Sequence, residues 1–223
     1  MNLIERQQIK SRRSFLKQAS LAALAFPLLL NCKGDALAQK SESDLLSLIR
    51  KNAAPAAAEG MGAIGVPDNV SWKIALPKKS ERDEPMIISG TVYQADGKTP
   101  APNVLIYFYH TDTEGYYGRG AGEPKHGHFR GWLLTDARGR YEFSSIKPAS
   151  YPNRAISAHV HMTVTGKDFR EDWIDSILFE GDRFITAQER SQAGRRGGFN
   201  PILKPEKGAD GIWRGVRDIK LLS

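Results

Sequence analysis

The chain of 223 residues has one cysteine, Cys32, so neither a disulfide framework nor a cysteine-based zinc site can form within it. It has no G-x-G-x-x-G, P-loop, G-x-S-x-G or Asp-rich calcium loop, which leaves nucleotide-binding and serine-hydrolase readings without a motif. Its most apolar run, Leu21 to Leu30, is too short to span a bilayer. Nor is one charge sign spread through the chain. The formal net charge is +7, but residues 1–38 hold six Lys/Arg against two Asp/Glu, so only three of those charges belong to the remainder. No nucleic-acid partner is expected, and Arg190, Arg195 and Arg196 with their neighbouring glycines read as a solvated loop.

What is present begins with Ser11-Arg12-Arg13-Ser14-Phe15-Leu16-Lys17 ahead of the moderately apolar Leu21 to Leu30. This arrangement resembles a twin-arginine export signal. The first segment, 1–38, is therefore expected to direct export by that route to a periplasmic or other extracytoplasmic location. Two endings stay open: cleavage after Ala38, at Ala36-Leu37-Ala38, or a lipid anchor on Cys32 within Leu29-Leu30-Asn31-Cys32. A second segment, 39–70, contains Ser41 to Asn52, which places Leu45, Leu48 and Ile49 on one helical face. That helix is expected to pack on the domain or on a sister chain in a homo-oligomer. The Ala/Gly-rich run Ala53 to Gly65 reads as a flexible tether.

Residues 71–223 carry the strand pattern. Ile87 to Gln94, Val104 to His110, Gly131 to Thr135, Arg140 to Ile146, His159 to Thr165, Ile174 to Phe179 and Val216 to Leu221 are short runs rich in strand formers. Turn signals such as Asp96-Gly97 and Ala137-Arg138-Gly139 separate them. The expected fold class is all-β, an antiparallel β-sandwich of about seven to nine strands. Its long connections, Gly115 to His128 and Arg183 to Trp213, are the pocket-forming loops.

The chemistry concentrates in Tyr151-Pro152 and Ala158-His159-Val160-His161. Alternation along a strand puts His159, His161, Thr163 and Thr165 on one face and Val160, Met162 and Val164 on the other. Two imidazoles about 7 Å apart along such a face can converge on one ion. The competing reading is a half-buried strand whose polar face happens to hold histidines. His126-Gly127-His128 is a second H-x-H, but its central glycine and the preceding Pro124-Lys125 place it in a loop, where histidines are usually unliganded. His110 ends a strand beside the Tyr117 loop. Trp72, Trp132, Trp173 and Trp213 read as core or pocket wall.

From Ile87 to Leu222 the chain resembles the intradiol ring-cleavage dioxygenases, the non-haem ferric family of catechol and protocatechuate dioxygenases. The landmarks, in order, are S-G-T-V-Y from Ser89, P-N-V-L-I-Y from Pro102, H-T-D-T-E-G-Y-Y from His110, the run Phe129 to Phe143, I-K-P-A-S-Y-P from Ile146, A-H-V-H from Ala158, F-E-G-D from Phe179 and the run Gly211 to Leu221. The resemblance implies Fe(III) held by Tyr117, Tyr151, His159 and His161, with Tyr116 as the alternative to Tyr117. It implies a catechol-like substrate chelating the iron through both oxygens, Tyr151 in preference to Tyr117 leaving as it binds, and O2 attacking the activated ring to give a muconate-type dicarboxylate. Hard phenolates, neutral imidazoles and a hydroxide suit the ferric charge.

The sequence departs from the family at two places. Ile156 and Ser157 stand where the family has an arginine followed by a proline, and Ser176 stands where it has a glutamine. Arg154, two residues before Ile156, is the candidate replacement and is assigned a catalytic role beside Tyr151. A protein that keeps the ligand cage as a metal-binding or ligand-binding module without turnover is the alternative.

Overall fold

Strand formers in alternating runs build two sheets whose inner faces share one core. The structure, a computed structural model, describes residues 31–55, 62–118, 122 and 124–222, with backbone alone for 31–40. The twin-arginine segment lies outside the described residues, as do the side chains of Cys32 and Ala38. The chain divides into two units, Met1–Asp44 and Leu45–Ser223. Among the described residues, no helix is long and apolar enough to cross a membrane.

One sheet has six strands: β1 (Lys73–Ala75), β2 (Pro85–Tyr93), β5 (Arg140–Ile146), β9 (Glu206–Lys207), β10 (Trp213–Val216) and β11 (Ile219–Lys220). They run in the order β1-β5-β2-β10-β9, and β11 also pairs with β2. The other sheet has five: β3 (Leu105–His110), β4 (Arg130–Leu134), β6 (His159–Thr165), β7 (Asp172–Phe179) and β8 (Ile202–Leu203), in the order β4-β3-β6-β7-β8. Met86, Ile88, Tyr141 and Phe143 from the first sheet meet Ile106, Phe108, Val160, Met162 and Ile177 from the second. At the centre, the Phe108 and Phe143 rings stack with centroids 3.9 Å apart.

The architecture corrects the expected fold class in two respects. Both sheets are mixed, because β1 with β5, β10 and β11 with β2, and β7 with β8 pair in parallel. Parallel neighbours need long crossovers, and the long connection from Phe179 to Ile202 supplies one of them. The described residues also contain helix α1 (Asn31–Lys51), a 3-10 turn at Gly62–Gly65 and the short helix α2 (Ala187–Gln192), so the fold is not strictly all-β. Eleven strands occur among the described residues, several of only two residues and so too short to show any alternation.

The expected strand Val216 to Leu221 is split into β10 and β11 by Arg217. Its side chain is fully buried and donates from one terminal nitrogen to Gly198 O (2.8 Å) and Asp218 O (2.6 Å). The Tyr141 hydroxyl donates to Arg217 O at 2.5 Å. Within the unit Leu45–Ser223, the C-terminal part of α1 turns Leu46 and Ile49 into a small cluster with Ala63, Val66 and Leu105. Leu48 is instead 43% exposed, one position off the stripe expected from the sequence. Glu171 fastens this leading segment: its carboxylate accepts from Ala54 N (3.0 Å), Ala63 N (3.1 Å) and the Thr163 hydroxyl of β6 (2.8 Å).

His110 belongs to the interior. It is fully buried, with Nδ1 2.8 Å from Thr111 O and Nε2 2.8 Å from the Ser145 hydroxyl. Burial, opposed in part by the bond to the Thr111 carbonyl, lowers its pKa to about 4. The unfolded chain, with histidine near 6.5, therefore takes up this proton first. The stabilisation is present above about pH 6.5 and is lost as pH falls toward 4. Urea unfolding at stepped pH should show that decline in the wild type and a shallower one in His110→Gln.

Candidate metal centre

β6 works on two faces. Val160, Met162 and Val164 enter the core, while His159 and His161 project from the opposite face, beside Tyr109 of the paired strand β3. The pairing of β6 with β7 shifts register between Val160 and Met162, a bulge of the kind that re-aims side chains. His159 Nε2 and His161 Nε2 come within 3.0 Å of each other.

The two tyrosines arrive on loops. After β3, Asp112 closes a turn in which its carboxylate accepts from Glu114 N (2.8 Å) and Tyr116 N (2.9 Å). Tyr116 faces outward at 41% exposure, and Tyr117 turns inward. Gly115, at φ +84°, lets this loop sit against Ser150 O, where an added Cβ would lie 2.1 Å away. Only a residue without a Cβ permits that approach, and it brings the Tyr117 and Tyr151 hydroxyls to 2.5 Å. The Tyr151 hydroxyl lies 3.2 Å from His159 Nε2. Gly127, at φ +69°, makes a second close approach: a Cβ there would be 1.8 Å from Tyr117 O.

Four donor atoms thus follow one another at 2.5, 3.2 and 3.0 Å. Donors bound to one ion at about 2.0–2.1 Å are separated by roughly 3 Å. The protons are also disposed for it. His159 Nδ1 donates to Ser157 O at 2.7 Å, so the neutral ring offers a lone pair at Nε2. His161 Nδ1 lies 3.2 Å from the Ser176 hydroxyl. Burial, then the neighbouring His159 and His126, lower the His161 pKa to about 3 and keep that ring neutral. Burial, then the hydrogen bond with Tyr151 and its charge, push Tyr117 well above the ordinary phenol range, so ionising Tyr117 calls for a nearby cation. Among the described residues no three His, Cys, Asp or Glu side chains form a metal-ligand group, and half of this donor set is phenol. The chemistry of the set fits a hard, highly charged ion such as Fe(III).

The segment entering β6 is braced by Asp182, which accepts from Ala158 N at 2.8 Å, and by Glu189, which accepts from the Ser157 hydroxyl at 3.2 Å. Arg154 is exposed, and its backbone N donates to Tyr151 O at 3.3 Å. Ile156 is 38% exposed. His128 is exposed.

His126, read from the sequence as an unliganded loop residue, lies inside an aromatic cluster. Its ring stacks on Tyr109 at 3.7 Å, and its Nδ1 is 2.9 Å from the Tyr107 hydroxyl. Tyr109 in turn packs near His161 (4.6 Å), Tyr117 (5.5 Å) and edge-on to Trp173 (6.1 Å). Tyr107 and Tyr109 share the outer face of β3 by simple alternation, which was legible; that this face adjoins His161 depends on cross-strand register, which was not.

Comparison with known proteins decides the family. A family model described as Dioxygenase matches residues 70–197, a span that contains all four donors. The chain belongs to the intradiol ring-cleavage dioxygenase family. This chain is 32% identical over 104 residues to catechol 1,2-dioxygenase of Acinetobacter baylyi, covering 45% of this chain and 33% of that one. It is 29% identical over 136 residues to the protocatechuate 3,4-dioxygenase beta chain of Burkholderia cepacia, covering 56% and 57%. The matches thus span about a third to just over half the length of these relatives. Among solved structures, catechol 1,2 dioxygenase of Acinetobacter radioresistens shares the fold, with TM-score 0.56, 16% identity and coverage of 100% of this chain and 87% of that one. Catechol 1,2-dioxygenase of Pseudomonas arvilla C-1 gives 0.55 at 18% identity, over 69% and 57%.

The Gly127 contact has a direct test. Gly127→Ala combines a left-handed backbone with a clash on the Tyr117 carbonyl, whereas Gly181→Ala has φ +91° and nothing within 4 Å. Both should lose about 1 kcal/mol from backbone strain, and Gly127→Ala should lose more and bind Fe(III) less tightly. Thermal unfolding and metal titration of the two variants measure the difference.

Proposed function

We propose that this protein is a non-haem Fe(III) intradiol dioxygenase that opens a catechol-type ring with O2 to a muconate-type dicarboxylate. The convergence of two phenol oxygens and two imidazole nitrogens at one point carries the reading, and family membership supports it. Tyr117, Tyr151, His159 and His161 would hold the ion. When bound, Fe(III) would act as a Lewis acid that draws electron density from a chelated catechol and makes its ring reactive toward O2.

The remaining tasks fall to the chain. His159 and His161 are held in place: Ser157 O orients one ring and the Ser176 hydroxyl meets the other. Tyr151 Oη sits on a loop, beside Tyr117 Oη at 2.5 Å. As a phenolate, Tyr151 would take the proton of an incoming catechol hydroxyl while Tyr117 remains a ligand. Trp173, 41% exposed and edge-on to His161 and Tyr109, forms an apolar wall against which a ring can lie.

Purified protein should contain about one Fe(III) per chain and be red-brown from phenolate-to-iron charge transfer. His159→Ala and His161→Ala should each lose nearly all of the iron, measured by metal analysis and visible spectroscopy. A colourless protein with stoichiometric zinc, or full iron in both variants, would overturn the reading. Oxygen uptake with catechol, together with an ultraviolet-absorbing open-chain product, separates the enzyme from a binding protein that keeps only the ligand set.

Export by the twin-arginine route is the accompanying proposal for location, motivated by Arg12-Arg13 and the apolar run after them. Arg12→Lys with Arg13→Lys should retain the protein in the cytoplasm in a fractionation assay; unchanged export would point to the general secretory route.

A further inference from the structure

One kind of turn occurs at two places in the chain. Asp112-Thr113-Glu114-Gly115 and Asp136-Ala137-Arg138-Gly139 share the spacing D-x-x-G. In each, the carboxylate accepts from the amides two and four residues on: Glu114 N (2.8 Å) and Tyr116 N (2.9 Å) in the first, Arg138 N and Arg140 N (both 2.9 Å) in the second. In each, the aspartate carbonyl accepts from the glycine amide, at 3.1 and 2.9 Å, and the aspartate amide donates to the carbonyl four residues on, at 2.8 and 3.2 Å. A short acidic side chain bonded to its own following backbone is enough to hold such a turn.

The surroundings of the two turns differ. The Asp136 turn carries the chain from β4 of one sheet to β5 of the other, and it follows the Leu134 end of β4, whereas Arg130 at the opposite end pairs with Tyr109 beside the four donors. Its carboxylate also pairs with the Arg140 guanidinium at 2.6 Å. The Asp112 turn holds a second loop. Asp112 O accepts from Ala149 N at 3.1 Å, and the hydroxyl of the neighbouring Thr111 donates to Ala149 O at 2.7 Å. Both backbone groups of Ala149 are therefore clamped, two residues before Tyr151. The turn also packs on the residues that flank this tyrosine, since a Cβ at Gly115 would lie 2.1 Å from Ser150 O and 2.9 Å from Pro152 Cδ. On the other side, Tyr117 directly follows Tyr116, whose amide and carbonyl are both bound by Asp112.

We propose that Asp112 is a positioning residue of the ferric centre, whose turn sets the spacing between Tyr117 and Tyr151 and so the geometry in which both phenols meet one ion. The inference rests on the ferric dioxygenase reading for the ion, and goes beyond it by giving a residue outside the ligand set control of that geometry. Asp112 reaches the tyrosines through the backbone contacts of its turn. Its charge also acts on the buried His110, and a substitution that keeps the acceptor oxygen while dropping the charge separates the two effects.

The test uses the full chain loaded with Fe(III), with metal titration and the phenolate-to-iron absorption band as readouts. Asp112→Ala should bind Fe(III) about tenfold more weakly and shift the band maximum. Asp112→Asn retains an acceptor oxygen and should recover the wild-type band and most of the affinity. Asp136→Ala removes the same turn bonds and an ion pair besides; it should lower the unfolding temperature comparably to Asp112→Ala while leaving band and iron affinity unchanged. Thr111→Val frees Ala149 O with the turn left intact, and should move the band in the same direction by less. In iron-free protein, hydrogen exchange at the Ala149 amide should be faster in Asp112→Ala and unaltered in Asp136→Ala.

A wild-type band and iron affinity in Asp112→Ala would overturn the inference, as would equal changes from Asp136→Ala, which would mark a general loss of stability. If Asp112→Ala does not fold, Thr111→Val decides, and a wild-type band in that variant overturns the inference. Unchanged Ala149 exchange in Asp112→Ala would overturn it with no metal present, leaving the ferric reading intact. A wild type that takes up no iron would overturn the ferric reading, and this inference with it.

Discussion

The alternation of β6 is the constraint on which the site depends. One face of the strand must fill the core with Val160, Met162 and Val164, which fixes its register against β3 and β7. A slip of one residue would bury the histidines and expose the valines, and the energetic cost of that exchange is large. His159 and His161 are thus aimed by hydrophobic packing in which they take no part. The loops bearing Tyr117 and Tyr151 are then brought to them by two glycines, each of which removes the atom that would hold the chain apart.

A division of labour follows. Inner-face residues supply stability and outer-face residues supply chemistry, on the same strands and at adjacent positions. On β3, Ile106 and Phe108 enter the core while Tyr107 and Tyr109 support the site. Substituents on one face therefore act on the other through the strand backbone, with no side-chain contact across the sheet.

How much was legible in the sequence depended on the range of the physics involved. β5 and β6 were read to the residue because alternation is local, and the convergence of Tyr151, His159 and His161 was expected from proximity along the chain and from family resemblance. Tyr117 ahead of Tyr116 was likewise expected from the resemblance, and the Asp112 turn that sets them apart is local, whereas the contacts of Tyr107, His126 and Tyr109 depended on register plus loop closure. Those relations exist only once distant segments meet. The parallel pairings of β8, β10 and β11 were invisible for the same reason, since strands of two to four residues carry no period of their own. Arg217 broke an expected strand because a side chain that would ordinarily sit on the surface is buried there.

The Glu171 carboxylate has a bearing on how this domain can be cut. It gathers two backbone amides from residues 54 and 63 and a hydroxyl from β6, the strand of both histidines. A fragment trimmed to the start of the family match, at residue 70, would keep the β6 hydroxyl and lose both amides. The carboxylate would then be underserved two residues along the face from His161, and Leu105 would lose the cover of Leu46, Ile49, Ala63 and Val66. A piece that keeps these bonds is therefore larger than the stretch the family model matches, and its boundary lies upstream of Ala54.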